Sequence, residues 1–251
     1  MRLASLRGWA VPLGVLAVAE AAMRAGNVHS DALARPSDIV LSVWAALADG
    51  SVFAASAETL GAAGGGVAVG GLLGLAGGLW LGLSQVAARL SVVSVEIFRP
   101  IPAVALIPIA MLVFGFGYRM EIAIVSFACF WPMLILSQAA VAGVEPRLLE
   151  VARLLGLGRG RQIVRIVLPA SLPRVFVAFR LVVGIALVVA VTVEIAANPR
   201  GLGYGMILAQ QNLRPERMFA LLFWVGGLGW GLNAGLLALQ HRLFGRFART
   251  A

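Results

Sequence analysis

The sequence predicts an all-α, polytopic membrane protein of about six transmembrane helices, with a short helical hairpin on one membrane face. Three observations carry that prediction. Of 251 residues, 61% are hydrophobic and only 12% charged, with a mean hydropathy of +0.95, where an ordinary soluble domain carries about 25% charged residues. The chain is divided into uncharged runs long enough to cross a bilayer. The basic residues are arginine throughout and cluster between those runs, as the positive-inside rule expects. In a soluble protein the net charge of +9 would suggest nucleic acid; here it belongs to loops beside lipid, and no nucleic-acid partner is expected.

The first apolar run, Gly8 to Ala19, follows Arg2 and Arg7 and gives way to Glu20 and Arg24. Small residues from Ala17 to Ala22 would also suit a cleaved signal peptide, but a retained first helix is the reading adopted. The stretch on to Gly50 holds Asp31, Asp38, Asp49 and the turn-like Arg35-Pro36-Ser37-Asp38, and reads as an extramembrane segment. The chain therefore divides into residues 1–50, a first transmembrane helix and periplasmic linker, and residues 51–251, a membrane core of about five helices.

From Thr59 to Leu83 no charge intervenes, and Gly66, Gly70, Gly74 and Gly78 recur every fourth residue. That spacing gathers them on one helical face, where a neighbouring helix can come close. Two further uncharged runs, Pro100 to Tyr118 and Ile122 to Val144, are separated by Arg119 and Glu121, and each is long enough to span. Pro100 and Pro102 suit a helix start, whereas Pro108, deeper in, is expected to kink its helix. Cys129 lies within an apolar run and reads as a packing residue.

Charges recur between Glu145 and Arg174, which marks an amphipathic region at the membrane surface. The apolar run resumes after Pro173 and continues to Ala197, with Arg180 near its start and Glu194 near its end. Arg180 either snorkels to the headgroups or pairs with Glu96. Glu194, within a turn of the span's outer end, is either a pathway or gating carboxylate or a solvated helix end, and Glu20 carries the same ambiguity. A polar loop from Asn198 to Arg217 leads to the last span, about Met218 to Gln240, where glycines recur at Gly227, Gly231 and Gly235.

Topology follows from the arginines. One side holds Arg2, Arg7, Arg89, the arginines from Arg147 to Arg174, and Arg242, Arg246 and Arg249; the other holds Arg24, Arg35, Arg119, Arg200, Arg214 and Arg217. The richer side is expected to be cytoplasmic, which places both termini inside and the chain in the inner membrane.

The loop 145–169 is the most informative stretch. Pro146 can open a helix, because its missing amide donor is not needed in the first turn. Gly156 can close that helix near Leu155, because it accepts the left-handed conformation of a helix terminus. A second short helix, about Arg159 to Val167, is expected before Pro169 and the next span. The order Glu150-x-Ala152, then Gly156, then Leu168-Pro169 resembles the EAA loop of binding-protein-dependent ABC importer permeases. Val151 departs from that loop's first alanine. The resemblance extends over roughly residues 36 to 245. Phe98-Arg99-Pro100-Ile101-Pro102, Glu145-Pro146-Arg147 and Gly201-Leu202-Gly203-Tyr204 are similar to the nitrate, sulfonate and taurine group, which also includes permeases for vitamin precursors.

The resemblance implies that the first helix of the loop is a coupling helix seated on a cytoplasmic ATP-binding subunit, with Glu150, Ala152, Arg153, Gly156, Leu168 and Pro169 as the ATPase-coupling residues. It further implies a homodimer with two ATPase copies, and a periplasmic or lipid-anchored solute-binding protein. The chain carries no chemistry of its own by this reading. A phosphate-cradling loop needs a lysine, and the sequence has none. His29 and His241 are too far apart in topology for a metal site, so neither metal nor cofactor is expected. The competing class, an ion-gradient-driven secondary transporter, would need paired ionisable groups near the bilayer midplane.

Overall fold

The computed structural model describes residues 2–26 and 32–245. His29, Asp31, Arg246 and Arg249 lie outside them, as do the side chains of Arg2 and Arg7. Among the described residues the structure is helical, without strands. The helices are α1 (Arg2–Ala25), α2 (Pro36–Ala48), α3 (Ser51–Leu83), α4 (Gln85–Phe98), α5 (Ile107–Phe114), α6 (Tyr118–Ala142), α7 (Pro146–Leu154), α8 (Arg159–Ala196), α9 (Gly201–Gln211) and α10 (Pro215–Phe244). Four of them, α3, α6, α8 and α10, are individually long and apolar enough to cross a membrane. The pair formed by α4 and the segment Ala103–Phe114 makes a fifth crossing if it is taken as one bent span.

The centre of the bundle is α6, packed between α3 and α8. The four-spaced glycines of α3 do what their spacing predicts. A Cβ on Gly66 would strike Val125, and on Gly70, Gly74 and Gly78 it would strike the backbone of Ser126, Phe130 and Leu134, all on α6. Residues four apart drift by about 40° around a regular helix of 3.6 residues per turn. The π turn Val67–Gly71 is wider and takes back part of that drift, which keeps the whole stripe on one partner. Cys129 and Met133 of α6 then interlock with Val175, Ala178, Val182 and Ala186 of α8, and Cys129 is a core residue as expected.

Several expectations are corrected. The run Pro100 to Tyr118 is not a straight span: the chain bends by 77° between α4 and the segment Ala103–Phe114. Pro100 and Pro102 supply the physical reason, since neither has an amide donor to continue the ladder of α4, and Pro102 itself is extended at φ −64° and ψ 119°. Gly115 and Gly117, at φ 74° and 107°, then stop α5 after eight residues. Pro108 does not kink α5, because it lies in that helix's first turn. The second short helix of the hairpin is continuous with the following span. A π turn, Ile163–Val167, precedes Pro169 and lets the helix pass it, so that α8 runs unbroken for 38 residues. The expected polar loop Asn198 to Arg217 contains α9, whose residues Gly201, Leu202, Gly203 and Ala209 are buried.

Within the segment read as a linker, Pro36–Ala48 is a helix packed against α10. Glu20 reaches across from α1 to accept hydrogen bonds from the Ser37 amide and hydroxyl at 3.0 and 2.9 Å, which serves an otherwise orphaned donor in the first turn of α2. Asp49 marks the next junction; hydrogen bonds from the Ser51 hydroxyl and amide hold its carboxyl below the usual range. Arg180 neither snorkels freely nor meets Glu96; its Nη1 donates to Gln240 Oε1 of α10 at 3.1 Å.

Candidate functional site

The structure separates the sequence-predicted residues into two groups at opposite ends of α8. Glu150, Ala152, Arg153 and Gly156 belong to α7 and its cap, and Leu168 and Pro169 lie in the first turns of α8 beyond its π turn. Glu194 is near the far end of α8, about 39 Å of helix away from Leu168 at 1.5 Å per residue.

The sequence folds α7 as its punctuation predicts. Pro146 opens the helix and Gly156, at φ 67°, closes it. The Leu157 amide donates to Ala152 O at 3.0 Å and the Gly156 amide to Arg153 O at 2.9 Å. This pair of bonds is a Schellman cap, which satisfies carbonyls that the helix end would otherwise leave orphaned. The cap requires the left-handed residue that glycine supplies.

One face of α7 is anchored. Ala152 is fully buried, and Leu149 packs on Val141, Val144 and Val167, with Leu79 and Leu83 of α3 alongside. Arg174 reinforces the seat by donating to Gly143 O, just past the end of α6, at 2.6 Å. Positive charge at a helix C-terminus is favourable. The opposite face is free within this chain: Leu154 and Leu155 are 87% and 72% exposed, with Leu148, Val151, Glu150 and Arg153 exposed beside them. Glu150 is not paired with Arg153; among the described residues the ion pairs are Arg24 with Glu20 and Arg200 with Glu58.

At the other end, Glu194 is not a solvated helix end, because it is 1% exposed. Its Oε2 accepts the Gly203 amide at 2.7 Å, while Thr59 Oγ1 of α3 accepts the Leu202 amide at 3.0 Å. Side chains from α8 and α3 thus serve the first-turn donors of α9, and the carboxylate sits at the positive end of that helix. The Gly201-Leu202-Gly203 sequence makes this approach possible. A Cβ on Gly201 would land on the Glu194 carboxyl, and one on Gly203 would meet Val191 O and Glu194 Cβ.

Three members of this cluster escape a reading of the sequence. Glu121, a charge between two apolar runs, is buried to 1% exposure in the first turn of α6. Asn198 Nδ2 donates to its Oε2 at 2.5 Å, and Thr59 completes the group from α3. The available signal is Glu121 standing at the head of a long uncharged run, where a side chain can fold back into the bundle. Among the described residues no group of three His, Cys, Asp or Glu could hold a metal ion. The two buried carboxyls lie within the first turn of α6 and the last turn of α8. They are therefore near span ends, away from the midplane that a gradient-driven transporter would use.

Comparison with known proteins fits this geometry. Residues 66–249 match the family described as binding-protein-dependent transport system inner membrane component. A Bacillus subtilis (strain 168) protein described as an aliphatic sulfonates transport permease is 29% identical over 238 residues, which cover 95% of this chain and 86% of that one. The nitrate import permease protein of Synechococcus elongatus is 28% identical over 187 residues, 73% of this chain and 64% of that one. Among solved structures, an inward-facing conformation of the MetNI methionine ABC transporter aligns at a TM-score of 0.63 and 18% identity, with 84% of this chain and 99% of that one covered. The helical fold, the capped surface helix and the match over most of the chain agree: this protein belongs to the family of binding-protein-dependent inner membrane components, as a permease subunit of an ABC importer and not an enzyme.

Proposed function

We propose that α7 is the coupling helix of this permease, taking force from a cytoplasmic ATP-binding subunit and passing it to α6 and α8. The observation that supports this most is the two-faced character of α7. Its inner face is locked to three spans through Ala152 and Leu149, while its outer face presents Leu148, Val151, Leu154 and Leu155 with Glu150 and Arg153. A rigid element so anchored moves with the spans, and a partner gripping the outer face can turn them. Gly156 fixes the angle at which α7 leaves the hairpin. Leu168 and Pro169 lie within α8 just beyond its π turn, between the hairpin and the span.

In this reading the chain lies in the inner membrane with both termini in the cytoplasm. It pairs with a second copy of itself, with the solute path between them, and two ATPase copies sit below. A periplasmic or lipid-anchored solute-binding protein delivers the cargo. The cargo class supported by the relatives is a small oxyanion, sulfonate-like or nitrate-like, with vitamin-precursor-like solutes as the alternative within the same group.

Reconstitution tests this. Vesicles holding the chain, its ATPase and its binding protein should take up an aliphatic sulfonate such as taurine only with ATP inside the ATPase-facing compartment. Gly156→Pro and charge reversal at Glu150 should abolish uptake while insertion persists. Normal ATP-dependent uptake by both variants would refute the assignment of α7. Uptake driven by an ion gradient with no ATPase would refute the importer mechanism itself.

A further inference from the structure

The end of the bundle away from α7 contains an arrangement that the coupling mechanism does not use. Glu121 of α6 and Glu194 of α8 are each 1% exposed and lie beside each other, since Asn198, just past the end of α8, donates to Glu121, and the two carboxyls interact electrostatically. Each already uses Oε2 as an acceptor, from Asn198 Nδ2 and from the Gly203 amide respectively. The other oxygen of each, Oε1, is buried without a hydrogen-bond partner. No cation among the described residues neutralises the pair, since the nearby Arg200 faces Glu58 instead, at 3.9 Å and largely exposed. Two carboxylates side by side inside packed protein would repel each other and leave both Oε1 atoms desolvated.

We propose that Glu121 and Glu194 bind one proton between them, with the Glu121 Oε1 hydroxyl donating to Glu194 Oε1. One hydrogen satisfies both orphaned oxygens and removes one of the two charges. The proton is placed on Glu121 because the surroundings of Glu194 favour its ionised form. Glu194 accepts a backbone amide in the first turn of α9, where the helix dipole favours negative charge, and it lies beside Thr59. Glu121 has only the Asn198 amide. The other titratable groups that bear on the pair, Glu58 from α3 and Tyr118 from α6, add no positive charge. The bound proton thus joins the start of α6, the end of α8 and the N-terminus of α9. Its removal sets two charges against each other and loosens that junction.

Infrared spectroscopy of the full chain in lipid nanodiscs tests the proposal. A protonated-carboxyl band that shifts in heavy water should be present at neutral pH and vanish in Glu121→Gln, but remain in the surface control Glu58→Gln. Glutamine can keep the Asn198 bond through its oxygen and donate to Glu194 through its amide, so Glu121→Gln should fold. The wild type should lose thermal stability as the pH is raised, and Glu121→Gln should not. Absence of the band at neutral pH, as a bound metal cation in place of the proton would produce, overturns the proposal, and so does its persistence in Glu121→Gln. If Glu121→Gln is not recovered folded, the wild type alone decides: loss of the band together with a falling melting temperature at alkaline pH supports the shared proton, and an unchanged band and melting temperature refute it.

Discussion

Gly156 sets the smallest scale on which the proposed coupling role of α7 depends. Its φ of 67° lies where a Cβ costs about 1–2 kcal/mol, although nothing crowds the position itself. Gly156→Ala should therefore insert normally and lower uptake only in part, whereas Gly156→Pro, with φ fixed near about −65°, should abolish it; uptake assays on vesicles with matched protein content measure the difference. Thr59→Val makes the complementary test at the other end. It removes the acceptor for the buried Leu202 amide, and an unmet buried donor costs about 1–3 kcal/mol. The expected result is a lowered melting temperature with insertion intact. The hairpin cap was legible in the sequence because proline and glycine act locally. The Glu121, Asn198 and Thr59 cluster was not, since its members are far apart in the chain and only packing brings them together.

At the level of helices, the glycine stripes show that equal spacing does not mean equal use. Gly74 on α3 faces the Phe130 carbonyl so closely that any side chain must push α6 away, while Gly231 on α10 has open space, with no atom within 4 Å of where a Cβ would stand. Gly74→Leu should prevent recovery of folded protein, since overpacking costs about 1–3 kcal/mol even where neighbours can shift and here the neighbour is backbone. Gly231→Leu should leave yield and melting temperature unchanged within this chain, as size-exclusion chromatography and thermal melts in detergent would show. The stripe on α3 could be foreseen from its period, but its partner could not. The bend after α4 was hidden for a different reason. Pro100 and Pro102 are tolerated at a helix start as well as at a break, so their local chemistry leaves the two outcomes open, and the positive-φ pair Gly115 and Gly117 decides for a short α5. Continuity of α8 through Pro169 was likewise unreadable, because it depends on a π turn.

The whole molecule is a bundle whose apolar surface faces outward to lipid and whose densest packing runs through α3, α6 and α8. Only 11% of the most apolar stretch of α10 is buried, against 44% for α6, so α10 lies at the periphery. Composition and charge clustering announced this exchange of solvent, because the bilayer acts on every residue at once. The same reasoning gives the proposed direction: by the positive-inside rule the arginine-rich hairpin is expected inside the cell, where the proposed ATPase partner would grip it. Sidedness of α7 is therefore the measurement that bears most directly on the coupling role. A single Arg153→Cys chain, whose native Cys129 is sealed in the core, should react with a membrane-impermeant maleimide in inside-out vesicles, remain unlabelled in intact cells, and become protected when the ATPase is bound. Labelling from the outside of intact cells would contradict it.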